Sequence, residues 1–149
     1  MGKSKCINEM KIVIPSLSVN EGAARSIVAA FCTQANPTAV DIADIKCAVS
    51  EAITNCIVHG YKESVGNIYI SVKIYENNLV KINIKDKGCG ISDVPQALQP
   101  LFTTDSENER SGMGFTVMES FMDKLSVRSV VGKGTSVTMS KRLNNIHII

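Results

Sequence analysis

Asp86 closes a run in which Val80, Ile82 and Ile84 alternate with polar residues, and it falls on the same parity as those three. A strand of period two therefore aims a carboxylate at the side that carries the core. An ionised carboxylate in that position is costly unless neighbouring groups donate hydrogen bonds to it. Gly88 and Gly90 follow at once, allowing a tight turn and close backbone approach to a flat ligand. The same stretch, "DKGCG", also reads as a turn in which the aspartate caps its own backbone.

Two further groups of residues have chemical types at useful spacings. Glu51 and Asn55 are four apart in "SEAITNCIVHGY", hence on one helical face, with the small residues Ala48, Ala52 and Cys56 close by. Glu51 has the chemistry of a general base, and the Asn55 side-chain carbonyl is a hard oxygen ligand suited to magnesium beside phosphates. A solvated Glu/Asn pair on an exposed helix would look the same. In "RSGMGF", Gly112 and Gly114 stand where helical periodicity begins, with Arg110 and Ser111 just before. A glycine-rich helix start offers free N–H groups to an anion and Arg110 adds a charged fork, although a hinge with a capping serine fits equally. His59, near a helix end, reads as a partner of the helix dipole.

The elements that must carry these residues follow from periodicity. Met10, Ile12 and Ile14 alternate up to Pro15 and predict a first strand. Ser18 with Glu21 has the spacing of a capping box, followed by Ala24, Ile27, Val28 and Phe31 at helical spacing as far as Asn36–Pro37. Thr38 and Asp41 have the same capping pattern. Behind them Ile45, Ala48, Val49, Ala52, Ile53, Cys56 and Ile57 form a wide apolar stripe that stops at Gly60. Ile68, Ile70, Val72 and Ile74, a turn at Glu76–Asn78, then Val80, Ile82 and Ile84 make a hairpin. Residues 92–112 have weak periodicity and read as a long functional connection. A short helix with Val117, Met118, Phe121 and Met122 on one side and the strands "LSVRSVV" and "TSVTMS" complete a β-α-α-β-β-loop-α-β-β order. Hairpins with segregated helices point to an α+β two-layer sandwich, helices on one sheet face, in a single domain over 1–149.

Composition narrows the classes. With 149 residues, 44% hydrophobic, the chain is long enough for a real core, and a net charge of +2 gives no reason to expect direct nucleic-acid or membrane binding. No apolar run reaches the roughly 18 residues of a spanning helix, and "MGKSKCINEMK" lacks a signal peptide's apolar centre, so a cytoplasmic location is expected. Five scattered cysteines without a C-x-x-C pair predict free thiols, with Cys32, Cys47 and Cys56 as small core residues.

The order of these groups, "EAITNCIVHGY", then "DKGCG", then "RSGMGF", then "GKGT" ending at Thr135, resembles the nucleotide-binding fold of the GHKL superfamily. Gyrase, a heat-shock chaperone, histidine kinases and a mismatch-repair protein share that fold, of Bergerat type, with a mixed, mainly antiparallel sheet. "SEAITNCIVHGY" and "QPLFTTDSENERSGMGFTVMESFMD" further resemble the anti-sigma factors of sporulation sigma factor F. That resemblance implies a homodimer that binds ATP or ADP with Mg2+. It also implies sequestration of a sporulation sigma factor and phosphorylation of a serine on an anti-anti-sigma partner.

Carried onto this chain, the resemblance assigns Asp86, with Thr135 through water, to the adenine amino group. Gly88 and Gly90 would make room for the base. Asn55 would ligate magnesium, and Glu51 with Arg110 would be catalytic. Thr103, Thr104, Arg110, Ser111, Gly112, Met113 and Gly114 would bind phosphates, and Leu101 to Glu109 would form the lid. Arg25 on the first helix would contact partners, and Cys89 would lie near the nucleotide as an oxidation-prone thiol. Three alternatives remain: a general-stress-type anti-sigma serine kinase, the detached catalytic domain of a histidine kinase, and a nucleotide-gated binding module without turnover. The histidine-kinase reading lacks a helical pair with a phosphoacceptor, because His59 and His147 are the only histidines.

Overall fold

A computed structural model describes residues 5–99 and 114–144. Five strands form one sheet in the order β1-β2-β3-β5-β4. They are β1 (Cys6–Pro15), β2 (Asn67–Tyr75), β3 (Leu79–Asp86), β4 (Lys124–Val130) and β5 (Gly134–Arg142). All pairings are antiparallel. The helices are α1 (Val19–Cys32), α2 (Ala39–Asn55), α3 (Val94–Leu98) and α4 (Phe115–Phe121). The expected α+β sandwich is therefore present, and the sheet is antiparallel throughout.

The alternating residues do what their period demands. Ile68, Ile70, Val72 and Ile74 of β2 face the same side as Val80, Ile82 and Ile84 of β3, and all are buried. Val137 and Met139 of β5 extend that surface, which packs against Val28 of α1, Ile45, Val49 and Ile53 of α2, and Phe115 and Met118 of α4. Fully burying one such side chain contributes about 1.5–3 kcal/mol. The β2–β3 turn needs left-handed backbone at Asn77 and Asn78 (φ 65° and 62°), which asparagine tolerates. Among the described residues no helix is long and apolar enough to cross a membrane.

Thr38 and Asp41 form the expected capping box. Asp41 N–H donates to Thr38 Oγ1 at 3.0 Å, and Thr38 N–H donates to Asp41 Oδ2 at 2.9 Å. The same Oδ2 accepts from Asn144 N–H at 2.6 Å, which joins the start of α2 to the chain beyond β5. Burial alone would raise the Asp41 pKa, but the donors Asn144 and Thr38 and the Lys141 charge outweigh it and hold the carboxyl below its ordinary value.

Several expectations need correction. Ser18 caps nothing with its side chain, because its own backbone is already helical (φ −55°, ψ −34°). Glu21 instead receives both the Arg25 guanidinium at 3.0 Å and the Ser50 hydroxyl. Ile27 and Val117 are exposed, since α1 and α4 bury narrower stripes than the periodicity suggested. Cys47 is exposed rather than in the core, whereas Cys32 and Cys56 are buried; all five thiols are free. Inside the stretch 92–112, read as a loop, α3 forms a short turn capped by Asp93, whose Oδ1 accepts from Gln96 N–H at 3.0 Å.

Candidate functional site

The end of α2 shapes the site. The helix stops at Gly60 as expected, but its last residues, Cys56–Gly60, widen into one π turn, closed by Tyr61 N–H donating to the Cys56 carbonyl at 2.8 Å. Such widened turns recur at functional sites. Here the turn lays Gly60 flat against the end of β3. A Cβ on Gly60 would stand 2.8 Å from Asp86 Oδ2, and one on Gly88 would overlap the Gly60 carbonyl. That carbonyl accepts from Cys89 N–H at 2.9 Å, and the His59 carbonyl accepts from the Cys89 thiol at 3.1 Å.

Asp86 is 4% exposed, as its parity predicted. Its Oδ1 accepts from Gly88 N–H at 2.9 Å, so the local turn reading is correct as well. The Cys56 thiol is also hydrogen-bonded to Asp86. Burial, then the aspartate charge and that bond, push the thiol pKa up, which keeps it protonated as a donor. A shallow cleft opens beside this carboxylate, lined by Ala52, Asn55, Cys56, His59, Gly60, Asp86, Gly90, Ile91, Phe115, Thr135 and Val137. Asn55 comes from α2, Asp86 from β3 and Thr135 from β5, where Thr135 is the cross-strand neighbour of Asp86.

Glu51, one turn before Asn55, does not line that cleft. It faces an adjoining groove with Arg25, Lys46, Cys47, Ser50, Val117 and Phe121. Gly114 holds left-handed backbone (φ 64°), which other residues adopt only with strain, and its bare side faces the Glu51 carboxylate. The helix face thus serves two compartments, Asn55 in the cleft and Glu51 at its neighbour. Arg25 is paired with Glu21 and borders the same groove.

The bare sides of Gly88 and Gly90 face the carbonyls of Gly60 and Val130, and Gly90 also lines the cleft. His59 does not behave as a charged dipole partner: burial and then Lys62 hold its pKa below the ordinary value, favouring the neutral ring. Thr103, Thr104, Arg110, Ser111, Gly112 and Met113, and the expected lid, lie outside the described residues.

Two positioning residues, Tyr61 and Ser129, escaped the pattern, and Cys56 was expected only as a small core residue. Tyr61 packs its ring on Gly66, donates its hydroxyl proton to the Asn67 carbonyl and accepts from Lys87 N–H at 2.8 Å, bracing the turn after Asp86. Ser129 touches Thr135, and Cys56 touches Asp86. Tyr61 ends the quoted helix stretch, but nothing in its spacing announces a partner 26 residues away.

A buried acceptor carboxylate beside an apolar cleft suits a flat heterocycle with an exocyclic amine. Among the described residues no three His, Cys, Asp or Glu side chains gather as a metal site. The Asn55 amide oxygen that lines the cleft is a hard donor of the kind magnesium accepts beside phosphate oxygens.

Residues 14–141 match the histidine kinase-like ATPase domain family. The anti-sigma F factor of Thermoanaerobacter sp. (strain X514) is 53% identical over 138 residues, 93% of this chain and 96% of that protein. The anti-sigma F factor of Bacillus subtilis (strain 168) is 49% identical over 138 residues, 92% of this chain and 94% of that protein. Among solved structures, the RsbU and RsbW domains of Rv1364c from Mycobacterium tuberculosis superpose with a TM-score of 0.65 at 18% identity, covering 91% of this chain and 32% of that one. A blue-light-activated histidine kinase domain from Erythrobacter litoralis EL346 gives 0.56 at 16% identity, covering 83% of this chain and 61% of that one. Both structural likenesses speak to the fold.

Proposed function

This chain belongs to the anti-sigma F factors and carries a histidine kinase-like ATPase domain, and from that premise we propose that it is a Mg-ATP-dependent protein serine kinase that sequesters a sporulation sigma factor. Its phosphorylation target would be a serine on an anti-anti-sigma partner, and the working unit a homodimer of single-domain chains, 1–149, in the cytoplasm. The observation that carries the nucleotide reading is Asp86, buried as an acceptor in a cleft with Asn55 on one wall and Thr135 on another.

In this reading Asp86 accepts the adenine amino group, and Thr135 assists through water. Asn55 holds magnesium, which neutralises charge on the phosphates. Gly114, with Arg110, Ser111, Gly112, Met113, Thr103 and Thr104, binds the triphosphate. Glu51 takes the proton from the serine hydroxyl as the serine oxygen bonds the γ-phosphorus and the bridge to the ADP oxygen breaks. Arg110 balances the charge that develops there. Phosphoryl transfer asks chiefly for positioning and charge neutralisation, so this small set is sufficient. Placing Glu51 in a groove next to the cleft supports the assignment, because the acceptor serine then enters from outside the nucleotide pocket.

The test is transfer of labelled phosphate to a purified anti-anti-sigma factor by wild type and by Glu51→Gln. The variant should bind ATP as wild type does and transfer about 10²-fold more slowly, the usual share of a general base. An unchanged rate removes Glu51 from its role. Acid-labile phosphoprotein would favour the histidine-kinase reading, and a stoichiometric partner that is never phosphorylated would favour the binding module.

A further inference from the structure

The wall of the cleft opposite Asn55 ends in a hydroxyl pair whose protons can be counted. Ser129 of β4 is half buried and its Oγ has three polar neighbours. Ile91 N–H lies at 2.7 Å, the Gly134 carbonyl oxygen at 3.0 Å and Thr135 Oγ1 at 2.8 Å. A serine hydroxyl has one proton and two lone pairs. The Ile91 N–H can only donate and the Gly134 carbonyl can only accept. Ser129 therefore satisfies every neighbour in one arrangement: it donates to Gly134, and its lone pairs receive Ile91 N–H and the Thr135 proton. Thr135 then has no proton left for the cleft and presents lone pairs alone. The Asp86 carboxylate beside it is also an acceptor, and the nearby Gly88 N–H is already engaged by Asp86 Oδ1.

We infer that Ser129 is a positioning residue that fixes this proton direction, so that the cleft meets its ligand with acceptors and selects a 6-aminopurine nucleotide over a 6-oxopurine one. A carbonyl at that ring position would face two protein acceptors and no protein donor, which costs up to as much as an unmade buried hydrogen bond. The inference rests on the nucleotide reading above and adds a residue that neither the strand pattern nor the glycine boxes single out.

The experiment measures the affinities of ATP and inosine triphosphate, each with magnesium, by calorimetry on wild type, Ser129→Ala and Ser129→Thr. Thermal melts check that each variant folds. Losing the serine strands the Ile91 N–H, a structural cost that weakens both nucleotides alike; the ratio of the two affinities isolates the proton direction. In Ser129→Ala the Thr135 proton is free to turn into the cleft, and the preference for ATP should narrow about five- to tenfold. Ser129→Thr keeps the hydroxyl on a strand-compatible side chain and should restore most of the wild-type ratio. A folded Ser129→Ala with the wild-type ratio, or a Ser129→Thr no better than alanine, overturns the inference while leaving the nucleotide site standing. A wild type that binds neither nucleotide overturns both.

Discussion

Adding one methyl group at Gly60 should have the opposite effect to adding it at Gly22. Neither glycine needs positive φ, and each lies in a helical turn, so propensity alone predicts that alanine stabilises by about 0.5–1 kcal/mol at both. At Gly22 the nearest atom to the new methyl is Arg25 Nη2 at 3.9 Å, an ordinary contact, and the gain survives. At Gly60 the methyl meets Asp86 Oδ2 at 2.8 Å, Cγ at 2.9 Å and Oδ1 at 3.0 Å. The carboxylate is short, buried and held by Gly88 N–H, so it can yield only by giving up that bond. Overpacking of this kind costs about 1–3 kcal/mol. Set against the propensity gain, a net loss of about 1 kcal/mol remains, which lowers Tm by about 2–4 °C in a chain of this size. Displacing the acceptor should cost more in binding than in folding. A hydrogen bond to a charged group is worth about 1.5–3 kcal/mol, or about 10- to 150-fold in Kd. Calorimetric titration with Mg-ATP and differential scanning calorimetry on both variants read the two effects. Gly22→Ala should melt higher with unchanged affinity. A Gly60→Ala protein that melts at or above wild type and binds ATP equally well would refute the reasoning.

Tyr61→Phe keeps the ring against Gly66 but removes both hydrogen bonds of the hydroxyl, so ATP binding should weaken about fivefold; an unchanged Kd by calorimetry would mean that the turn after Asp86 holds itself. Asp41 has its pKa lowered in the folded chain, so its contribution to stability is complete above the unfolded value of about 3.9 and is lost as pH falls through the lower folded value. Asp41→Asn should therefore be less stable than wild type near neutral pH, and the gap should close on acidification below about pH 4. Urea midpoints that keep a constant gap down to the acid limit would contradict this.

The sheet and the carboxylate at its heart were legible because both rest on a period of two. Once Val80, Ile82 and Ile84 were placed on the core face, Asp86 had to join them, and it did. The Thr38–Asp41 box was legible for a related reason: its partners are three residues apart, and the further donor Asn144 N–H joins Asp41 without displacing Thr38. The identical pattern at Ser18 and Glu21 failed because a distant hydroxyl, Ser50, and a cation one turn on, Arg25, offered the glutamate more than a backbone N–H. Cys47 misled through composition alone, since its helix buries Ile45 and Val49 but leaves that position outward. The π turn had no local signature; Gly60 is the stop it looked like and also a bare surface against which Asp86 rests. Tyr61 and Ser129 matter through contacts that fold closure creates, and single-strand periodicity holds no information about those.

The strand order has a bearing on how the chain is made. Among the described residues β4 pairs only with β5, and β5 lies between β4 and β3, so the described strand latest in sequence is the keystone of the sheet. The first turn of α2 likewise gains a donor from Asn144, 103 residues downstream. A nascent chain paused before residue 134 has β4 with no ladder, Asp86 with no Thr135 beside it, and a helix start missing one of its bonds. Contacts this far apart in sequence close slowly. The cleft beside Asp86, lined by Thr135 and Val137, thus cannot exist before β5 has paired, and binding competence should arrive in one step with that pairing.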